Sequence, residues 1–354
     1  MKSILLTSTA LVAFAGAAVA GGHEGVSFSG DAELGYNDEF DNGVFWSVGL
    51  GVSAAMDLDN GITATLSGDV EFNGTNSTFD GNDISIDDLV FGMSTDTASL
   101  TFGDTAPAAD ALYSSAVTNV DADGFYDEGD WGEDGVLIAR MSFGASEVGV
   151  SYHVFDTNGG ADSDLDGLQI GANTTFGSVG LSFGYQEAVG AVDAIMAVSA
   201  TAAVAGIDLG LSYADDGTET STGVQAAFTF GDVSATVFYV SNDVNDDNYG
   251  VAVAYASGPL TLDALYHDGN DEDMQINATY DLGNGLSVFG GYRDEGSADD
   301  DTYFYVGGDY DLGGGANLRV SYADAEAAVG TALDELGASE DVKNGTTIAV
   351  SFTF

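Results

Sequence analysis

Carboxylates are the only reactive groups this sequence supplies in quantity. Residues 104–135, DTAPAADALYSSAVTNVDADGFYDEGDWGEDG, carry Asp104, Asp110, Asp121, Asp123, Asp127, Glu128, Asp130, Glu133 and Asp134, and the first basic residue after them is Arg140. Carboxylates gathered on a low-dielectric wall attract cations and repel anions. Carboxylate oxygens are also the ligands that a hard ion such as Ca2+ takes. They are dense in DADGFYDEGD (121–130), ADSDLDG (161–167) and NDVNDDN (242–248). None of the three has the spacing of the twelve-residue calcium loop, so calcium is a candidate ligand of the acidic loops and its ligands stay unassigned. Catalysis finds few parts. The only histidines are His23, His153 and His267; no two are spaced as a zinc pair, and no glycine loop has the form that cradles phosphate. A lone His on a strand is a structural polar residue before it is a base. No enzyme is expected.

The whole chain shares this acidity. Its 354 residues include 58 acids against 5 Lys plus Arg, a formal charge of −53, with no cysteine. Nucleic-acid binding needs clustered Lys and Arg and is excluded. Disulfide frameworks and thiolate metal sites are excluded as well. Acidity alone would suggest disorder, but 45% of the residues are hydrophobic, so the chain has enough apolar surface to fold.

Residues 1–20, MKSILLTSTALVAFAGAAVA, have a basic residue (Lys2), an apolar stretch and an A-x-A end, the pattern of a secretory signal cut before Gly21. Residues 21–354 then form the mature protein, with 58 acids against 4 bases, or −54. No other run reaches the ~18 apolar residues of a membrane helix. A membrane β-barrel stays open, because its strands alternate.

Alternation is what the rest of the chain shows. VSFSGDAELGY puts Val26, Phe28, Ala32, Leu34 and Tyr36 on one face. VFWSVGLGVSAAM does so with Val44, Trp46, Val48, Leu50, Val52, Ala54 and Met56, and ITATLSGDVEF with Ile62, Ala64, Leu66, Val70 and Phe72. Period two over about ten residues reads as a half-buried strand of bilayer-crossing length. Connections come in two kinds, tight ones such as GAS (144–146) and GNG (283–285), and long acidic ones such as NGTNSTFDGND (73–83) and DEGSADDD (294–301). Short turns at one end and long loops at the other describe an outer-membrane barrel.

Aromatic and charged residues sharpen the assignment. Strands running toward the long loops end in Tyr36, Phe72, Tyr152, Tyr185, Tyr213, Tyr239, Tyr266, Tyr292 and Tyr322. Returning strands end in Phe91, Phe143, Phe176, Phe230, Tyr255, Tyr280, Tyr310 and Phe354. All lie on the apolar face, as two interfacial girdles would. Asp31, Glu33, Asp69, Glu71, Arg140, Glu147, Asp208, Asp263 and Arg319 fall on the other face. A charge at mid-bilayer on the lipid face costs roughly 2–4 kcal/mol, so the charged face must be wet. The pattern implies a water-filled lumen. The parity slips in ISIDDLVFGM, where a bulge at Asp87-Asp88 would restore it. The Ala-rich run 191–206 alternates weakly and could form a short helix; taken as a strand, it brings the count to twenty.

The sequence resembles the general diffusion porins of Gram-negative bacteria, in particular the Rhodobacter-type group. The resemblance rests on the signal, VSFSGDAELGY opening the mature chain, SLTFGD (99–104) before a long loop, DYDLGGGANLRVSYAD (309–324) and the final Phe354. It implies a homotrimer of barrels in the outer membrane, set among lipid and lipopolysaccharide. It implies sixteen strands, which conflicts with the direct count of twenty. It also implies that the long loop at 104–135 folds into the pore, which makes that loop's nine acids and Arg140 the candidate constriction. Such porins set loop acids against wall arginines; here the second and third strands contain no Lys or Arg. Other lumen charges are Glu33, Asp69, Glu71 and Arg319.

The expected function is passive diffusion of cations and small hydrophilic solutes. A closed-barrel structural or calcium-binding surface protein, and a substrate-specific channel, are the competing readings. A greasy aromatic track in the lumen would favour the substrate-specific channel; Tyr303 and Tyr305 face inward, but two tyrosines make no track.

Overall fold

The computed structural model describes residues 24–40, 43–74, 84–125, 135–154, 166–189, 193–269, 272–295, 301–325, 332–333 and 342–354. The expected signal, residues 1–20, lies outside them. Among the described residues, twenty strands pair antiparallel, each with its neighbours in sequence. The first strand, Glu24–Asn37, also pairs with the last, Gly345–Thr353, in the register Asp31↔Thr353 to Asn37↔Thr347. Gly30 and Phe354 add two reciprocal backbone hydrogen bonds, of 2.9 and 2.8 Å. The sheet is therefore closed and leaves no backbone edge, the condition for strands in a bilayer.

Turn chemistry explains the short side. Ala205-Gly206, Asn284-Gly285 and Gly314-Gly315 each hold positive φ at both positions, the type I′ geometry that suits the strand twist. The expected bulge is present. Ser67 pairs with Val90 and Asp69 with Asp87, so Gly68 faces two residues, and Asp88 has φ 56°. One extra residue resets the parity there. The Ala-rich run forms the strand Ile195–Val204 rather than a helix. Twenty strands are thus observed, not the sixteen that the resemblance implies.

The two faces are inverted relative to a water-soluble protein. The large apolar side chains point outward, and Phe176 and Phe230 are each 84% exposed. The fully buried side chains include Gln169, Gln186, Asn37, Asn248, Ser151 and Ser221. Exposed aromatics at both strand ends, among them Tyr36, Tyr239, Tyr266, Phe143 and Phe354, stand where two girdles are expected. The apolar band is a surface for lipid, and the core lies inside the barrel, under an inward-folded segment.

Candidate functional site: the pore loop and the lumen wall

Residues 104–125 leave the strand Ala98–Gly103 and turn back against the inner wall. They contain a short helix, Ala108–Leu112, and a 3-10 turn, Asp121–Asp123. Pro107 starts the helix, where its missing N–H costs nothing. A connection held this way is a built element rather than a surface loop.

The wall meets this segment with at least one polar side chain from each of eight consecutive strands. Ser151 accepts the Ala108 N–H (2.8 Å), and Gln169 Oε1 accepts the Ala109 N–H (3.1 Å). The hydroxyls of Ser182 and Ser199 both donate to the Ser114 carbonyl, at 2.8 and 2.6 Å. Ser212 accepts the Ala116 N–H (2.9 Å), and Ser221 accepts the Ala122 N–H (3.2 Å). Asn242 and Asn248 donate their amides to the two Asp121 oxygens at 2.8 and 2.7 Å. Buried backbone groups that a loop would otherwise strand are thus satisfied in order along the wall.

Small residues make room for this contact. Gly149, Gly171, Gly184, Ala197, Ala214 and Ser221 are successive register partners across six strands. A Cβ on Gly171 would fall on the Ala108 carbonyl, so any larger residue there displaces the helix. Apolar contacts add to the polar ones. Val117, Val120, Ala122 and Phe125 pack on inward-facing Ile195, Ala197, Phe238 and Val240. Burying a side chain the size of Phe125 contributes about 1.5–3 kcal/mol.

The sequence candidates fall into distinct places. Asp104 sits at the root of the segment and accepts the Asp88 N–H of the bulge at 3.0 Å. Asp110 is exposed on the short helix. Asp121 is clasped by the two asparagines. Asp123 is partly buried and accepts the Tyr113 hydroxyl at 3.2 Å. Burial pushes the Asp123 carboxyl up to about 6, against the lowering effect of the Ser115 and Tyr113 hydroxyls. Burial likewise pushes the Tyr113 hydroxyl up to about 12, so it stays a donor. Arg140 lies on the inner wall directly opposite Gly149, close to Leu112 of the helix. Asp127, Glu128, Asp130, Glu133 and Asp134 lie outside the described residues.

The wall away from the loop is acidic and wet. Asp31 and Glu71 flank Gly49 in register, and Asp69 sits opposite Gly51. Asp31, Asp69 and Glu71 are exposed, and Glu33 is half-buried on the same face. Further round, Arg319 pairs with Asp309 at 2.8 Å and lies 5.2 Å from the Phe289 ring centre. Arg293 pairs with Asp273 at 3.1 Å. Both guanidinium charges are therefore largely neutralised on the spot.

Sequence reading missed the docking track. Its signal was available: Ser and Gly recur at inward parity on consecutive strands, far from any turn. It also takes the chain to lack a G-x-S-x-G motif, whereas GLSFG (180–184) has that letter spacing, the spacing of a serine-hydrolase elbow. Ser182 lies mid-strand, and its hydroxyl is bonded to Ser199 and to the Ser114 carbonyl, a packing role. Among the described residues no group of three or more His, Asp or Glu could hold a metal ion. In the one fully described calcium candidate, 242–248, Asp247 accepts the Tyr239 and Ser241 hydroxyls and Asp243 accepts the Thr220 N–H.

Comparison with known proteins follows the same line. The profile of the Gram-negative porin family matches residues 7–222 and 193–328. No curated protein matches the chain. Among solved structures, a triple variant of Rh. blastica porin covers 94% of this chain and 100% of its own, at 15% identity and a TM-score of 0.45. A double variant of the same porin gives 16% identity and a TM-score of 0.45 over the same shares. With a family match over most of its length and a closed barrel that turns its apolar face outward, the chain belongs to the Gram-negative porins, the non-enzymatic diffusion channels of the outer membrane.

Proposed function

We propose that this porin prefers cations and that residues 104–135 narrow its lumen. One observation carries the preference: Asp31, Glu33, Asp69 and Glu71 face the lumen from the first and third strands, and the second and third strands contain no Lys or Arg. Carboxylates on a low-dielectric wall keep a negative potential that draws in cations. The narrowing is supported by the docking of residues 104–125 across eight of the twenty strands. Solutes are then filtered by width and charge without energy input.

The test is a reversal potential in a KCl gradient across a planar bilayer. A potential of cation sign agrees with the proposal, and one of anion sign refutes it. The same reading includes export through a cleaved segment at residues 1–20 and assembly as the family's trimer among lipid and lipopolysaccharide. It gives the outer acidic loops divalent counter-ions such as Ca2+. Residues 126–134 and 155–165, which include parts of two of the candidate calcium sequences, lie outside the described residues.

A further inference from the structure

Three regions of the inner wall are apolar where a wet lumen should be polar. Two of them, the Ile195, Phe238 and Val240 patch and the Val136 and Ile138 patch, are covered by the pore loop. The third lies on different strands. Phe289, Tyr303 and Tyr305 face inward, yet each is less than a tenth exposed, at 4%, 8% and 4%. Val342, itself 1% exposed and from the connection before the last strand, packs into the same cluster. Val342-Lys343 pairs antiparallel with Ala332-Leu333, so this connection has a short ladder of its own.

The next residue, Lys343, reaches the second strand. Its ammonium lies 5.0 Å from the ring centre of Phe45, an inward residue that is 5% exposed. The exit is fixed by Asn37, whose amide donates to the Asn344 carbonyl at 2.7 Å and to the Thr347 hydroxyl at 2.9 Å. The two residues therefore span from the Tyr303–Tyr305 patch to Phe45 across the barrel seam. An aromatic face holds an ammonium without cancelling its charge. Among the described residues no carboxylate lies within ion-pairing distance of Lys343, whereas Arg293 and Arg319 are each paired with an aspartate.

We infer that Val342-Lys343 is a second inward-folded element, and that Lys343 is a specificity-determining residue: a fixed cation at the pore mouth that tempers the pull of the acidic wall and admits anions. Val342 anchors it in the aromatic patch, and Phe45 orients it. The inference rests on the channel reading above but not on the sign of the channel's preference. A fixed charge acts over a Debye length of about 8–10 Å at moderate salt.

The test uses the purified protein in planar bilayers under a KCl gradient. Replacing Lys343→Glu should raise the cation-to-anion permeability ratio roughly twofold, with Lys343→Gln between it and the parent, and the shifts should shrink at 1 M salt. The protein has no native cysteine, which gives a cleaner second arm. In Lys343→Cys, a cationic thiol reagent should restore the parent reversal potential and an anionic one should move it further toward cations. Unchanged reversal potentials in all three variants, before and after modification, would overturn the inference while leaving the channel reading intact. An anion-preferring parent would instead refute the proposed cation preference, with the Lys343 shifts still deciding this point. A parent without conductance would overturn both.

Discussion

Single carboxylates in this barrel do different work according to their surroundings. Asp121 holds the pore loop to the wall through Asn242 and Asn248, so its charge is spent on two amides. Replacing Asp121→Ala removes both charge-assisted bonds and should weaken docking by about 1.5–3 kcal/mol, read as faster proteolysis within residues 104–135. Asp123 works differently. Its acid strength is lowered by burial, from an ordinary pKa of 3.8 to about 6. A docked state with a raised carboxylate pKa binds a proton more tightly than the undocked loop. Docking is therefore favoured below pH 4 and weakens as pH rises through 6. The pH window from 4 to 6 should accordingly show rising channel noise as the loop loosens. Asp123→Asn should abolish that dependence; if the noise still changes over the same window, another group is responsible. Repulsion from the Asp121 charge adds a smaller contribution to the shift.

At the scale of the element, the pore loop and its track form one unit. Residues 104–125 could not lie flat on a wall of ordinary side chains, and Gly171 is where the fit is tightest. Gly171→Val should expel the helix Ala108–Leu112 and raise single-channel conductance, while the barrel strands stay paired by circular dichroism. Phe125→Ala should loosen the far end of the loop, since truncating a buried aromatic costs about 3–5 kcal/mol. Conductance unchanged by Gly171→Val would mean that the loop does not set the width. The strands themselves were legible in the sequence because period two, girdle aromatics and charge parity all gave the same answer. Even the slip at Asp88 could be located, because a bulge leaves a parity error. The track was not legible in that way. Serine and glycine carry no hydrophobic signal, and only the pairing register reveals that Gly149, Gly171 and Gly184 are neighbours. The roles of Asp104 and Asp121 were hidden for the same reason: their partners, Asp88, Asn242 and Asn248, are distant in sequence or set by loop geometry.

At the scale of the molecule, twenty strands enclose a wider lumen than the sixteen of the resemblance would, since barrel diameter grows with strand number. We propose that two inward elements on different arcs of the wall offset that width. The charge balance follows the same division. Arg293 and Arg319 are each paired with an aspartate, while Asp31, Glu33, Asp69 and Glu71 face the lumen from the first and third strands, which is the basis of the proposed cation preference. Neutralising Asp31, Glu33, Asp69 and Glu71 together to Asn or Gln should therefore move the permeability ratio toward unity without closing the channel.

The most direct test of the account is the parent protein in a planar bilayer separating two KCl concentrations. Stepwise conductance with a reversal potential of cation sign, reduced by high salt, is the predicted result. Absence of conductance steps, or a reversal potential of anion sign, would contradict the account of an acidic, open lumen.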